Sequence, residues 1–176
     1  MQLSAGRAIL YGTLVVGMLD GLDAILFFGL RSGATPVRIF QSISAGVLGR
    51  AASVQGGWRA ALLGVLLHFF IAFAVVSTFY VVSRRMRMLT QRPILFGMLY
   101  GVVVYIVMNY AVIPLSAIGP RTAAIPLAVH INGVLIHAFG VGLPSALAAR
   151  AAARSARRAR RACEGAARGA GVPASD

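Results

Sequence analysis

Four long apolar stretches constrain this chain more than any other feature of its sequence. They cover residues 8–30, 58–82, 94–113 and 127–149. A helix of about 20 residues rises about 30 Å, which matches the hydrocarbon core of a bilayer. Unpaired backbone polar groups are costly in lipid, so a stretch of this length is expected to cross as a helix. The sequence therefore predicts an all-α, polytopic membrane protein built on a transmembrane four-helix bundle.

The composition agrees with this interpretation. Hydrophobic residues make up 59% of the 176 residues, and the mean hydropathy is +0.81. Four spans use most of the chain, which leaves no room for a separate soluble domain. We therefore expect a four-span transmembrane domain over residues 1–149. Residues 150–176 are expected to form a basic cytoplasmic tail, helical to about Cys163 and disordered from Gly165 onward.

The distribution of arginine predicts the orientation. All 17 basic residues are arginine. In a four-span chain both termini and the loop between the second and third spans share one side of the membrane. That side carries twelve arginines and the other side five. The excess of positive charge on cytoplasmic segments then predicts a multi-pass protein of the bacterial inner (plasma) membrane with both termini in the cytoplasm.

The tail suggests a partner as well as an orientation. Its arginines directly follow a span, where they are expected to bind anionic lipid headgroups. A nucleic-acid partner is not expected, because no aromatic residues are interleaved for base stacking. The membrane and its anionic lipids are thus the expected partners, through the arginines Arg154, Arg157, Arg158 and Arg161.

The long connection after the first span predicts a short helix. Thr35-Pro36 is typical of an N-cap followed by the first helical residue. Apolar residues recur at helical spacing after it, at Val37, Phe40, Ile43, Val47 and Leu48. We expect an amphipathic helix at the membrane interface with Phe40, Ile43 and Val47 toward lipid or the bundle, and a re-entrant hairpin is the alternative. Arg38, Gln41 and Ser42 would lie on the opposite face, and residues 53–57 would form a loop.

Glycine and proline mark further features of the spans. Gly17 and Gly21, like Gly97 and Gly101, have the small-xxx-small spacing that lets neighbouring helices approach closely. Pro114 is expected to end the third span, and Pro144 is expected to kink the fourth.

Two carboxylates inside the first span are the strongest functional signal. Asp20 and Asp23 are two of only four acidic residues in the chain. A charged side chain at such a depth costs at least about 2.5–3.5 kcal/mol, so intramembrane acids usually serve a function. At about 100° per residue the two side chains lie within about 60° of each other on the helix. Both are expected to face the bundle interior, with His68 or His137 the nearest ionisable partner of at least one of them, and not to be ionised together.

The other intramembrane polar residues fall at similar depths. His68 in the second span and His137 in the fourth lie near the level of Asp20. Asn109, Asn132 and His130 lie closer to the outer surface. The sequence thus predicts a polar cluster formed by all four spans, with the candidate residues Asp20, Asp23, His68, Asn109, His130 and His137.

Several functions are compatible with such a cluster. An imidazole beside a carboxylate can relay protons, bind a cation or ligate a divalent metal. A small proton- or cation-handling transporter, or a subunit of one, fits best, and it would be expected to form a homo-oligomer. A membrane-embedded hydrolase or lipid-modifying enzyme is the first alternative and a non-catalytic scaffold the second. No spacing typical of a metal site is present, and the sequence identifies no cofactor.

Three segments also carry a resemblance. Residues 108–116 (MNYAVIPLS), 130–137 (HINGVLIH) and 140–144 (GVGLP) resemble segments of small bacterial inner-membrane proteins that have no assigned activity. Together with the two acids and His68, the resemblance extends over all four spans. It implies a bacterial, four-span protein and assigns a role to no residue.

Overall fold

The computed structural model describes residues 4–120 and 122–169 of the chain, with side chains described as far as residue 166. It is 89% helical, with no strand in the described part. Four helices are long and apolar enough to cross a membrane, which confirms the predicted all-α four-helix bundle. We call them spans 1 to 4: Ala5–Ser32, Gly57–Arg85, Pro93–Leu115 and Leu127–Ala166.

The ends of span 1 follow familiar capping rules. The Ser4 side chain accepts a hydrogen bond from the backbone N–H of Arg7 at the start. Gly33 ends the helix in the left-handed conformation, with φ of 65°, which glycine adopts without steric cost. Spans 1 and 2 each run one to three residues beyond the predicted limits at both ends, because their flanking residues continue the backbone hydrogen bonding.

The connection after span 1 contains the predicted short helix, Pro36–Leu48, which we call the cap helix. Its Thr35 N-cap accepts a hydrogen bond from the N–H of Arg38. The predicted polar face is corrected at Gln41, which is buried. The reason is tertiary: the cap helix packs on the start of span 2, where Gln41 Nε2 donates to the Gly57 carbonyl at 2.9 Å.

The cap helix and span 2 approach each other backbone to backbone. A Cβ atom added at Gly64 would collide with the carbonyl of Phe40. Only glycine fits this crossing, which brings the Phe40 ring to 6.1 Å from the His68 ring. The predicted loop over residues 53–57 is also corrected, since Arg50–Gln55 forms a further short helix. Gly49, with φ of 79°, makes the turn between the two short helices.

Spans 3 and 4 each contain a π-helical turn, Met108–Val112 and His137–Gly142. In each case a proline follows two residues later, Pro114 in span 3 and Pro144 in span 4. A proline ring clashes with the carbonyl four residues before it and offers no N–H. A wider turn moves that carbonyl away, so the prolines explain where the helices widen.

The glycine pairs predicted from sequence lie at the helix contacts. Gly17 and Gly21 face Phe69 and His68 of span 2. Gly101 lies against the π-helical turn of span 4, where an added Cβ would collide with the His137 carbonyl. This close approach places His137 beside span 3.

The two ends of the bundle differ in charge and packing. The arginine-rich end carries the start of span 1, the end of span 4 and the connection between spans 2 and 3, with the short helix Arg87–Gln91. The opposite end, where the cap helix crosses, is called the capped end. The helix of span 4 continues at the arginine-rich end as far as Gly169, beyond the predicted limit near Cys163. The predicted disorder of residues 170–176 lies outside the described residues.

An apolar layer separates the middle of the bundle from the arginine-rich end. Val16, Ala72, Val76 and Val141 form one buried cluster from spans 1, 2 and 4. Each lies about one or two turns nearer that end than the polar residue of its own span (Asp20, His68 or His137). The polar residues therefore lie on the capped side of this layer.

Candidate functional site within the bundle

A cavity of about 560 Å³ lies on the capped side of the apolar layer. All four spans contribute to its walls, and Arg38, Ile39, Ser42 and Ile43 of the cap helix complete them. Asp20 lies about 18 Å from the capped end of span 1, His68 about 17 Å from that of span 2 and His137 about 15 Å from that of span 4. The similar depths explain why five of the six predicted residues line one cavity: Asp20, Asp23, His68, Asn109 and His137.

Asp20 and His68 form the central pair of the site. The His68 Nδ1 atom lies 3.9 Å from Asp20 Oδ2. The predicted pairing of an intramembrane acid with a histidine is thereby confirmed. His68 is buried, with 8% of its surface exposed, and its ring contacts Phe69 edge to face at 5.5 Å. The imidazole is thus held in one orientation with its Nδ1 edge toward the carboxylate.

The second ring nitrogen of His68 determines what this pair can do. His68 Nε2 lies 2.8 Å from the Gly17 carbonyl oxygen, and a carbonyl can only accept, so Nε2 carries a proton. In a neutral imidazole the lone pair is then on Nδ1, facing Asp20. A proton on either group would remove the repulsion between this lone pair and the carboxylate.

Asp23 has a neutral partner. Asn132 Nδ2 of span 4 donates to Asp23 Oδ2 at 2.7 Å, a short distance typical of a charge-assisted bond. The partner of Asp23 is therefore a neutral amide, whereas that of Asp20 is an imidazole.

His137 and Tyr105 form the opposite wall. His137 Nδ1 donates to the Gly133 carbonyl at 2.9 Å, which leaves Nε2 as the lone-pair nitrogen of the neutral ring. The Tyr105 ring contacts the His137 ring at 5.4 Å, and the Tyr105 hydroxyl lies 2.7 Å from His130 Nδ1. Tyr105 thus connects the two histidines of span 4.

The remaining two candidates are peripheral. His130 is bonded to Tyr105 but is not among the residues that line the cavity. Asn109 lines the cavity, yet its Nδ2 donates at 2.9 Å to the Tyr105 carbonyl of its own span. Their hydrogen bonds give both residues a structural role next to the site.

The cavity does not contain a preformed metal centre. Within residues 4–120 and 122–169, no three His, Cys, Asp or Glu side chains converge as they would around a metal ion. The two acids are instead separated by different partners, His68 for Asp20 and Asn132 for Asp23.

Sequence reasoning missed Tyr105, Arg38 and the Gly17 carbonyl. Tyr105 could have been found, because a tyrosine far from the interfacial belts needs a hydrogen-bond partner for its hydroxyl. Arg38 was assigned to the solvent face of the cap helix, whereas it lines this cavity and a second one of about 530 Å³. Every backbone carbonyl can accept a hydrogen bond, and no sequence signal indicates that the Gly17 carbonyl is the one that His68 reaches.

The four tail arginines predicted to bind lipid, Arg154, Arg157, Arg158 and Arg161, are exposed on the extension of span 4. The neighbouring Arg160 pairs with Glu164 at 2.7 Å. In the described part of the chain no other arginine of this extension has a carboxylate within ion-pair distance.

Comparison of the chain with protein families, curated proteins and solved structures finds no match.

Proposed function

We propose that this multi-pass membrane protein is a small transporter, or the membrane subunit of one, that exchanges protons for cations at Asp20 and Asp23. The observation that carries the proposal is the Asp20–His68 pair, which faces a cavity formed by all four spans. A structural pair could be satisfied without any cavity. The cavity provides the space through which a proton would leave the pair and a cation would enter.

The asymmetry of the bundle supports an alternating mechanism. The cavity is separated from the arginine-rich end by Val16, Ala72, Val76 and Val141. Transport requires such a layer, since a continuous polar path would leak protons. Opening the layer while closing the cap helix would expose the same acids to the other side.

Two unsatisfied hydroxyls support a path beyond this layer. Thr13 Oγ1 and Ser77 Oγ are buried and have no hydrogen-bond partner within the described structure. Buried polar groups are normally paired, so each exception calls for an explanation. Both residues lie nearer the arginine-rich end than Asp20 and His68 do. Their hydroxyls would form hydrogen bonds with the species that carries the proton past the layer.

We further propose that the protein lies in a bacterial inner membrane with cytoplasmic termini, and that the tail arginines bind anionic headgroups. The arginine distribution supports the orientation. The exposure of Arg154, Arg157, Arg158 and Arg161 supports lipid binding. The capped end, and with it the cavity, would then face the periplasm.

The test is proton movement in proteoliposomes that contain a pH-sensitive dye. Gradients of Na⁺, K⁺ and tetraethylammonium are imposed in turn, and the wild-type protein is expected to change the luminal pH with at least one of them. Asp20→Asn keeps the shape but cannot exchange a proton, so the rate should fall at least about tenfold, a barrier of about 1.4 kcal/mol. Glu164→Gln, which removes an acid outside the cavity, serves as the control. Equal rates for the wild type, Asp20→Asn and protein-free liposomes would overturn the proposal.

A further inference from the structure

The walls of the cavity are more apolar than an inorganic ion requires. Most of the lining side chains are aliphatic, and a volume of about 560 Å³ is typical of sites for small organic molecules. A proton or a metal ion needs polar ligands and no such apolar volume. Aliphatic side chains from all four spans and the cap helix form these walls, among them Val16, Ile39, Ile43, Ile71, Val104 and Ile136.

The charged side chains that line the cavity leave a net negative charge that one positive charge would balance. Two carboxylates, Asp20 and Asp23, and one guanidinium, Arg38, line it, so with neutral histidines the sum is −2 + 1 = −1. An unbalanced charge among apolar side chains is costly. The proton held by Asp20 and His68 removes the imbalance, and a monovalent cation could do so in its place.

Aromatic side chains make an organic cation a better replacement than an inorganic one. Phe28 and Tyr105 line the cavity together with the rings of His68 and His137. Aromatic faces attract cations whose charge is spread over a weakly hydrated group.

We infer that the cavity binds a lipophilic organic monocation, of the quaternary ammonium or aryl phosphonium class, and that one proton leaves the Asp20–His68 pair for each cation bound. This inference rests on the proposed proton–cation exchange and names its substrate class. The apolar body of the cation would contact the aliphatic walls while its charge lies toward Asp20 and Asp23. No covalent bond changes, and the released proton passes to solvent.

The test is equilibrium binding of tetraphenylphosphonium to the purified full chain in detergent. Tetraphenylborate has nearly the same size and shape with the opposite charge, so it measures apolar partitioning without charge recognition. We expect the phosphonium to bind, to release protons into weakly buffered solution, and to bind more weakly as the pH is lowered. The borate is expected to bind at least about tenfold more weakly, a difference of about 1.4 kcal/mol.

Variants assign the binding to the site. Asp20→Asn and Asp23→Asn should each weaken phosphonium binding several-fold, whereas Glu164→Gln should bind as the wild type does. The pH dependence of the wild type needs no variant, so the test remains decisive if an Asn variant fails to fold. Equal binding of the two probes, or binding of the phosphonium that is independent of pH, would overturn the inference.

The two proposals fail in different ways. Asp20-dependent proton movement driven by Na⁺ or K⁺ without phosphonium binding would overturn the substrate class and leave the proposed transport in place. Phosphonium binding with proton release, but no proton movement across the proteoliposome, would support the substrate class and overturn transport by this chain.

Discussion

His68 has both of its ring nitrogens assigned by the surrounding structure. The Gly17 carbonyl fixes the proton on Nε2, and Nδ1 faces Asp20 Oδ2 at 3.9 Å. Asp23 differs, because the Asn132 amide donates a bond without bringing a charge. Two acids that lie three residues apart on one helix thus have chemically different partners.

The bond between Asn132 and Asp23 can be measured on its own. Asn132→Leu keeps the branching at Cγ and the number of side-chain heavy atoms but removes the donor, and should lower the free energy of unfolding by about 1.5–3 kcal/mol, the value of a bond to a charged group. In an Asp23→Leu background the same change should cost far less. Chemical unfolding in detergent of the four chains of this double-mutant cycle checks it. A coupling energy near zero would mean that this bond does not stabilise the fold.

Among the secondary-structure elements, the two π-helical turns set the position of the site. Pro114 and Pro144 each follow a widened turn, and the turn in span 4 begins at His137. Gly101 permits the close approach of span 3 to the His137 backbone. The same contact places the Tyr105 and His137 rings 5.4 Å apart, so packing of the backbones determines the geometry of the cavity wall.

Gly101→Ala tests this packing. The added methyl group would collide with a backbone carbonyl that cannot move aside as a side chain could. Overpacking of this kind costs about 1–3 kcal/mol, and we expect a lower unfolding temperature in detergent. Gly6→Ala is the matched control, because a Cβ atom at Gly6 meets nothing within 4 Å. Equal stability of the two variants would show that spans 3 and 4 do not depend on this contact.

The two ends of the whole molecule differ across the depth of the bundle. The cap helix and the acid-lined cavity lie at one end, whereas the connection between spans 2 and 3 and the extension of span 4 bring arginines to the other. If the arginine-rich end is cytoplasmic, the cavity in this conformation is turned toward the periplasm. The direction of exchange then follows from the proton gradient across the inner membrane, which would drive protons inward and cations outward.

A topology reporter tests this orientation in the bacterial cell. Alkaline phosphatase, which is active only in the periplasm, should be inactive when fused after Asp176 and active when fused in the connection between spans 3 and 4, after Gly119. The physical reason is the excess of arginine on the side of the membrane to which Asp176 is assigned. The reverse pattern of activities would place the cavity on the cytoplasmic side and would reverse the proposed direction of exchange.

The sequence by itself determined the class of fold and the identity of the central residues. Apolar length predicted four spans, and the high cost of an acid in lipid singled out Asp20 and Asp23. Helical rise placed His68 and His137 at a matching depth, so the pairing of Asp20 with His68 could be expected. These properties are local or follow from the repeat of a helix, and one chain segment is enough to reveal them.

Only the tertiary structure decided which partner each group has. Gln41 is buried, contrary to its predicted place on the polar face, because the cap helix packs on span 2 and its side chain reaches the Gly57 carbonyl. The proton on His68 depends on a carbonyl 51 residues away in the chain. His130 does not line the cavity with the other predicted residues, because its ring is hydrogen-bonded to the Tyr105 hydroxyl. Each outcome depends on how neighbouring helices rotate and approach, and depth along a single helix carries no information about rotation.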